Sequence, residues 1–523
     1  MKNKTILIGL DGATWDILDK LMSKGYMPFM KNLVKKGVKA ILKSTLPPLT
    51  SPAWKTMTTG LKPEKLGRYG FCVFEKDYTV KYCNSKYPFN DKDFWEYFSK
   101  KMKIIIANIP GSYPPKKING IYISGPYTPD KNSIYTYPKE IKQKLEKNID
   151  YNIELLPSKT KEEYFNNSLK NLDERYKLFK YLLNQKFDFF MGVFFVTDNI
   201  QHNLYNYFDV DHSDYEPGKN YIEKFYSHFD KRLSQLYKKN LNLIIVSDHG
   251  FGKVETCFSL TKWLIKEKYL VLKNKKKAKY LNIKNIKIVL KKLRLYNLIF
   301  KIMPRKYLNK IYKNLEIDER LIKFKNLSID WKKTICFPSF ENTCLGQIYF
   351  NDKRFQDGKL SEKDIERYTE EIRCKLKKFV KKNRHTIKIF KKQDLYGKKP
   401  KKIAPDISFV IDNFACEISN MYTDEKRIFY NWKESDANHP GTHRQEGVFL
   451  AYGPDIKKNI KIDSVNIYDI APTILHMYEL LIPEEMDGRV LTEIFKSNSR
   501  LRKSKVKYKK ENKVKKILNE IKI

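Results

Sequence analysis

The sequence predicts an α/β protein with a mostly parallel central sheet and helices on both faces. Three observations predict it. Short apolar runs at Thr5–Leu10, Phe187–Val196 and Asn242–Ser247 have the length and composition of strands buried on both faces. Segments of helical periodicity, Thr160–Gln185 and Tyr221–Lys239, alternate with them. Each of the three runs is followed closely by an aspartate, Asp11, Asp198 or Asp248, as expected where strand ends border a cleft.

The remaining elements follow in chain order. Asp16–Lys36 is helical in pattern, broken by Gly25 and Pro28. Lys103–Ala107 and Ile121–Ser124 are strands, separated by the turn-rich IPGSYPP at 109–115. Gln347–Phe350, Ile387–Phe390, Asp406–Ile411 and Gly447–Tyr452 are further strands. Tyr468–Leu480 is a helix that Asp469 can cap.

Two segments differ in character. Residues 271–330 begin with the solvated run KNKKKAK. Ile286, Val289, Leu290, Leu293 and Phe300 then fall near helical spacing between Lys287, Lys291, Lys292 and Arg294. This stretch is expected to be a basic helical insert in a core made of 1–270 and 331–495. From Arg500 onward, 11 basic and 2 acidic residues form a basic tail, placed at 496–523 and expected to be frayed or a solvated helix. A basic amphipathic helix can also lie on an anionic membrane, so weak contact of that kind is an expectation for the insert or the tail.

A chain of 523 residues can bury a large core, and 41% apolar against 31% charged residues fits a folded protein. The formal charge of +43 is spread through every segment rather than gathered in a patch. With no RNP-like aromatic motif and no zinc-finger spacing, specific nucleic-acid binding is not expected. The seven cysteines are odd in number and contain no C-x-x-C, which argues for a reducing compartment over a disulfide framework. The chain runs from MKNK directly into a strand, and no apolar run approaches about 18 residues. A cytoplasmic location without signal peptide or membrane span is the expectation.

The chemistry centres on LPPLTSPAWKTMTTGLKP at 46–63. Pro47 and Pro48 delay the start of a helix, Thr50 is a suitable N-cap, and Pro52 is tolerated in the first turn. Gly60 can end the helix. A hydroxyl at such a start sits beside unpaired N–H groups at the positive end of the helix dipole, which favours an alkoxide and binds phosphate. Asp198 and His202 stand in VTDNIQH, Asp248 and His249 in IIVSDHG, and His443 in a turn-rich loop before GVFLAY. Three acids and three histidines bordering strand ends, with the Thr50 oxygen, are enough to hold two metal ions. The mix of imidazole and carboxylate suits zinc, with manganese the alternative.

Taken in order, LIGLDGATWD at 7–16, TSPAWKTMTTGLKP at 50–63, TDNIQH at 197–202, SDHGF at 247–251, GTHRQEG at 441–447 and the ending IYDIAPTILHMYELLIPEEMDGRVL at 467–491 resemble the alkaline phosphatase superfamily. Within it, they resemble the type I phosphodiesterase / nucleotide pyrophosphatase branch. The resemblance runs from residue 1 to about 495 and implies an alkaline phosphatase-like fold. It also implies that Asp11, Thr50, Asp248 and His249 hold one metal, and that Asp198, His202 and His443 hold the other. Thr50 would attack phosphorus in line to give a phosphothreonine, which water then hydrolyses. The T-x-P register sets Thr50, rather than its neighbour Ser51, at the nucleophile position. Sulfatases of the superfamily carry Cys or Ser followed by x-Pro-x-Arg. Here Thr50 and Trp54 stand at the first and last of those places, which argues against sulfatase activity. The family's phosphate-orienting asparagine has two candidates, Asn84 and Asn108. His439 matches no ligand position and is expected behind the ligands or facing substrate. His212, His228, His385 and His476 match no motif and are expected to be structural or on the surface.

The expected function is a two-metal phosphohydrolase acting on phosphodiesters, nucleotide pyrophosphates or phosphomonoesters. The alternatives are a metal-dependent phosphomutase of the same superfamily and a non-catalytic protein that binds anionic surfaces.

Overall fold

The computed structural model of the chain describes residues 3–509 apart from 89–90, 99, 150, 154, 157, 274–328, 398, 421–426 and 435–438. Nine strands form its central sheet: β1 (Thr5–Leu10), β2 (Val38–Lys43), β3 (Ile104–Ile109), β4 (Gly120–Ser124), β5 (Thr136–Tyr137), β6 (Phe189–Phe194), β7 (Asn242–Val246), β8 (Glu446–Tyr452) and β9 (Ile460–Asn466). Their order across the sheet is β9-β2-β8-β7-β1-β6-β3-β4-β5. The pairs β7-β1, β1-β6, β6-β3, β3-β4 and β2-β9 are parallel. β8 runs antiparallel to β2 and β7, and β5 antiparallel to β4. The expected mostly parallel sheet is thus present.

Alternation along β1 shows why its run is apolar throughout. Ile6, Ile8 and Leu10 pack into one layer with the helices Trp15–Ser23, Lys161–Leu183 and Tyr221–Leu236. Leu7 points into the opposite layer, with Trp54, Met57 and the helix Ile470–Met477. A strand between two helical layers needs an apolar residue at every position. β2 was not expected from sequence, yet Val38, Ala40 and Leu42 are buried and alternate with Lys39, Ile41 and Lys43. That alternation is a strand signal, and its lysines let it pass for a continuation of the preceding helix.

Three predicted strands belong elsewhere. Gly346–Phe350, Ile387–Lys391 and Ile407–Ile411 join Cys336–Pro338 in a separate four-stranded antiparallel sheet. The helix Glu362–Lys382 buries Ile372, Leu376 and Val380 in the core of this unit. The hairpin at 72–82 ties the unit to the chain that follows the Thr50 helix. Its Tyr78 ring stacks on Trp331 at 3.8 Å and on Phe355 at 5.2 Å, and its hydroxyl donates to Asn351.

The expected basic helix of the insert lies outside the described residues. The flanks of the insert meet, since Leu272 and Ile329 form an antiparallel bridge. The start of the tail is not a free solvated helix. Leu501 is buried in the core layer beneath the sheet, and Tyr508–Lys509 pairs with Ile482–Pro483. None of the seven cysteines forms a disulfide. Among the described residues, no helix is long and apolar enough to cross a membrane.

Thr50 is the first residue of its helix, Thr50–Thr59, and not the N-cap. Leu49 takes that place in extended conformation, and no side chain caps the start. Pro52 lacks the N–H that a capping hydroxyl would accept at that distance, so the Thr50 oxygen is left for the cleft. Gly60 ends the helix with φ +70°, as the sequence predicts. Lys55 anchors the same helix. Its ammonium donates to the Asp93 carboxylate at 2.8 Å, and Lys116 reaches that carboxylate at 3.0 Å, with Lys55 and Asp93 buried and Lys116 partly so. Burial alone would raise the Asp93 carboxyl, but the two ammonium charges outweigh it and hold it far below the usual range. Asp93→Asn leaves Lys55 facing a neutral amide and is expected to cost about 3–5 kcal/mol of stability, measured by urea unfolding. Because the folded carboxyl is held low, this contribution is present above about pH 4 and is lost as pH falls further.

Candidate active site

The register of the parallel strands builds the site. Gly9 pairs with Val246 and Leu10 with Phe194, so β1, β6 and β7 end level with one another. Asp11 and Asp248 each lie two residues beyond the paired Gly9 and Val246, and so stand side by side. The helix Val196–Leu204 begins directly after β6 and carries Asp198 and His202 one turn apart. His443 arrives from the far end of the chain. Gly250–Lys253 pairs antiparallel with Gly441–Arg444, which puts His443 opposite Phe251. The His443 ring thereby stacks on His249, with centroids 3.8 Å apart.

Backbone turns hold these groups from behind. Gly12, at φ +67°, donates its N–H to Asp248 Oδ1 at 3.1 Å, and a Cβ there would come within 2.9 Å of Asp198 Oδ1. Thr197 donates to the Asp11 carbonyl, and Gln201 to the Gly12 carbonyl. Sequence reasoning missed both residues, because their partners lie about 190 positions away.

The three imidazoles share one arrangement. Nδ1 of His202 lies 3.0 Å from the Gly441 carbonyl, Nδ1 of His249 3.1 Å from that of Gly250, and Nδ1 of His443 3.0 Å from that of Pro48. A carbonyl only accepts, so each Nδ1 carries the proton and donates it. In the neutral ring each Nε2 then presents a lone pair, and the three Nε2 atoms turn toward one another. His202 Nε2 and His443 Nε2 are 2.8 Å apart. Two lone pairs at that distance repel unless a cation lies between them. A proton does not fill that role readily. Burial pushes the His202 imidazolium down to about 3 and holds that of His443 well below its ordinary value.

The carboxylates complement the rings. Asp11 Oδ1, Asp198 Oδ1 and Asp248 Oδ2 are buried without a hydrogen-bond partner. Asp11 Oδ1 and Asp248 Oδ2 lie 3.5 and 3.2 Å from His249 Nε2, and Asp198 Oδ1 lies 3.4 Å from Nε2 of both His202 and His443. Burial raises the Asp11 carboxyl well above its ordinary value, with the Asp248 and Asp198 charges adding to it, and burial raises Asp248 as well. Crowded acids without donors and converging lone pairs are what a divalent cation satisfies. Ligand atoms of Asp11, Asp248 and His249 form one group within 4.8 Å, and those of Asp198, His249 and His443 another, so His249 is common to both. His202 joins the second through its close contact with His443.

Thr50 Oγ1 lies 3.4 Å from His249 Nε2 and is buried. Ser51 instead hydrogen-bonds with the Cys83 thiol. All seven residues expected at the site, Asp11, Thr50, Asp198, His202, Asp248, His249 and His443, therefore meet in one cleft at the carboxyl ends of the parallel strands.

The other candidates fall differently. His439 is half-buried with its ring 4.8 Å from that of His202, at the rim of the cleft. Asn108 is committed at both ends of its amide. Its Nδ2 donates to the Val193 carbonyl at 2.6 Å, and its Oδ1 accepts from Tyr151. Asn84 Oδ1 closes a turn with the N–H groups of Lys86 and Tyr87. His212 is buried, with its Nδ1 accepting from the Asp214 N–H and its Nε2 3.2 Å from the Pro440 carbonyl on the His443 strap. His228 pairs with Asp173, His385 with Asp412, and His476 Nε2 faces the Leu501 carbonyl.

A family model described as type I phosphodiesterase / nucleotide pyrophosphatase matches residues 5–443. Among solved structures, human ectonucleotide pyrophosphatase / phosphodiesterase 5 is similar in fold, with a TM-score of 0.52 at 16% identity over 95% of this chain and 100% of that one. The murine counterpart gives 0.50 at 14% identity, over 94% of this chain and 100% of its own. No curated protein matches the chain.

Proposed function

The chain belongs to the type I phosphodiesterase / nucleotide pyrophosphatase family, a family of hydrolases, and from that premise we propose a two-metal enzyme that cleaves phosphodiester or nucleotide pyrophosphate bonds through a phosphothreonine at Thr50. The observation that carries this reading is the convergence of three imidazole lone pairs and three donor-free carboxylate oxygens beside the Thr50 hydroxyl.

In this reading Asp11, Asp248, His249 and Thr50 hold one divalent cation and Asp198, His202 and His443 the other, zinc being the ion the ligand set suits best. When bound, the pair supplies positive charge that favours the Thr50 alkoxide and offsets the charge of the phosphate. The chain does the rest. The Thr50 helix starts at the nucleophile, so its dipole adds to the favourable field at the oxygen. Thr50 Oγ1 forms a bond to phosphorus as the bond to the leaving oxygen breaks, and the leaving group departs with that electron pair. Water then displaces Thr50 from the phosphothreonine, giving one proton to the departing threonine oxygen, which frees a phosphate monoester. The buried ligands keep bulk water from competing for the nucleophile's place.

At the rim, Phe71, Tyr127 and Phe195 form a chain of edge-to-face rings at 5.4 and 6.0 Å, and Tyr127 is 49% exposed. Phe195 precedes Asp198 by three residues at the end of β6. A partly open aromatic cluster that reaches the start of the Asp198 helix supports a substrate with an aromatic group such as a nucleobase.

The test is a panel assayed with added zinc or manganese. It contains a p-nitrophenyl nucleotide ester, bis-p-nitrophenyl phosphate and p-nitrophenyl phosphate, each followed for release of p-nitrophenol, with free phosphate measured alongside. Faster turnover of the diesters is the expected result. No hydrolysis of any phosphate ester would defeat the reading, and transfer of phosphate to a second hydroxyl without release would replace hydrolase by mutase.

A further inference from the structure

Two carboxylates of the cleft, Asp248 and Asp11, are aimed by what occupies their other oxygen. For Asp248 that is the Gly12 N–H, a neighbouring piece of backbone. For Asp11 it is a side chain from another element. The Trp54 indole donates Nε1–H to Asp11 Oδ2 at 2.7 Å, and both residues are fully buried. This captures Oδ2 and leaves Oδ1 facing His249, where no hydrogen-bond donor meets it.

The indole cannot easily occupy another position. It lies against Gly9 of β1, where a Cβ would come within 2.4 Å of Trp54 Cη2 and 2.9 Å of Val193 Cγ2. Trp54 is also four residues after Thr50 in the same helix, so the two side chains share a helical face. One ring therefore touches β1, fixes Asp11 and sets where the helix carrying Thr50 sits above the strand ends.

We propose that Trp54 is a positioning residue that couples the Thr50 helix to the cation pocket by fixing the rotamer of Asp11. The proposal rests on the two-metal reading above. It goes further by placing at the fourth residue after the nucleophile a neutral donor that acts on a ligand and not on substrate. Trp54→Phe keeps most of the ring and removes the N–H. Trp95→Phe is the matched control, because Trp95 is buried in the same core layer and its Nε1 has no hydrogen-bond partner.

Zinc binding to the full chain is measured by competition with a chromogenic chelator, and kcat and KM by diester hydrolysis. W54F is expected to weaken one of two zinc ions by about 10–100-fold. It should also lower kcat while KM stays within about twofold, because the contact acts on the ligand geometry and not on uniform substrate binding. W95F should leave zinc affinity unchanged while lowering the melting temperature by a similar amount. A second variant carries β-(3-benzothienyl)alanine at position 54. It keeps the bicyclic shape and removes only the N–H, so it separates the hydrogen bond from the fold. Zinc affinity at the wild-type level in this variant, or an equal loss in W95F, overturns the role of Trp54. A wild-type chain that binds no zinc overturns the two-metal reading and this proposal with it.

Discussion

Thr50→Ala is expected to reduce phosphodiester turnover by about 10³-fold or more while leaving zinc content and melting temperature close to wild type. The oxygen removed is buried but contributes little to the fold. It caps no helix, and it lies 3.4 Å from His249 Nε2. Deleting it leaves a small apolar methyl at the first position of the helix, where alanine is well tolerated. Five of the ligands other than Thr50, namely Asp11, Asp248, His202, His249 and His443, stay in place, since each is fixed from behind by backbone or by Trp54. Rapid quenching with a phosphorus-labelled diester should trap label on the wild-type chain and none on the variant. Ser51→Ala is the paired control. Ser51 hydrogen-bonds with Cys83 and not with the ligands, so its loss should change turnover by less than about tenfold. Full activity in Thr50→Ala, or label retained at another residue, would remove the phosphothreonine from the mechanism.

Asp248→Asn is expected to weaken zinc binding by about 10²-fold or more and to reduce turnover in step. Asp248 Oδ2 is one of the three buried carboxylate oxygens without a donor, 3.2 Å from His249 Nε2. An amide at this position presents either a poorer ligand or an N–H toward the lone pair of His249. The same geometry predicts where protons go on binding. Burial already keeps His202 and His443 neutral, whereas it holds Asp11 and Asp248 toward their protonated forms. Cation binding near pH 6 should therefore release protons from the Asp11 and Asp248 carboxyls and not from His202 or His443, and affinity should rise with pH. Calorimetry in buffers of different ionisation heat measures that release. Removing the ions with a chelator should abolish turnover and lower the melting temperature, and returning zinc should restore both. Activity that survives exhaustive chelation would sink the two-metal reading.

Much of the frame could be read from the sequence, for a reason that β1, β6 and β7 illustrate. A strand buried between two helical layers must be apolar at every position, so a polar residue directly after it marks the edge of the sheet. Asp11, Asp198 and Asp248 are legible on that basis, and the helix start at Thr50 through its prolines. β2 and β9 are less legible, because polar residues interrupt them and they are partly exposed. The strands at 346–350, 387–391 and 407–411 were visible as strands, yet nothing local says that they form a second antiparallel sheet.

What the sequence determined by itself is the inventory of the site: which aspartates end strands, which hydroxyl starts a helix and which histidines lie nearby. Only the tertiary structure decided how these groups are aimed. The Nδ1 protons of His202 and His443 are fixed by carbonyls of Gly441 and Pro48, 239 and 395 positions away along the chain. Asp11 is aimed by an indole 43 residues later. A strand pattern records burial, which each residue carries in its own chemistry. A tautomer or a rotamer depends on the partner across the cleft, and that partner is chosen by the register and packing of the whole chain.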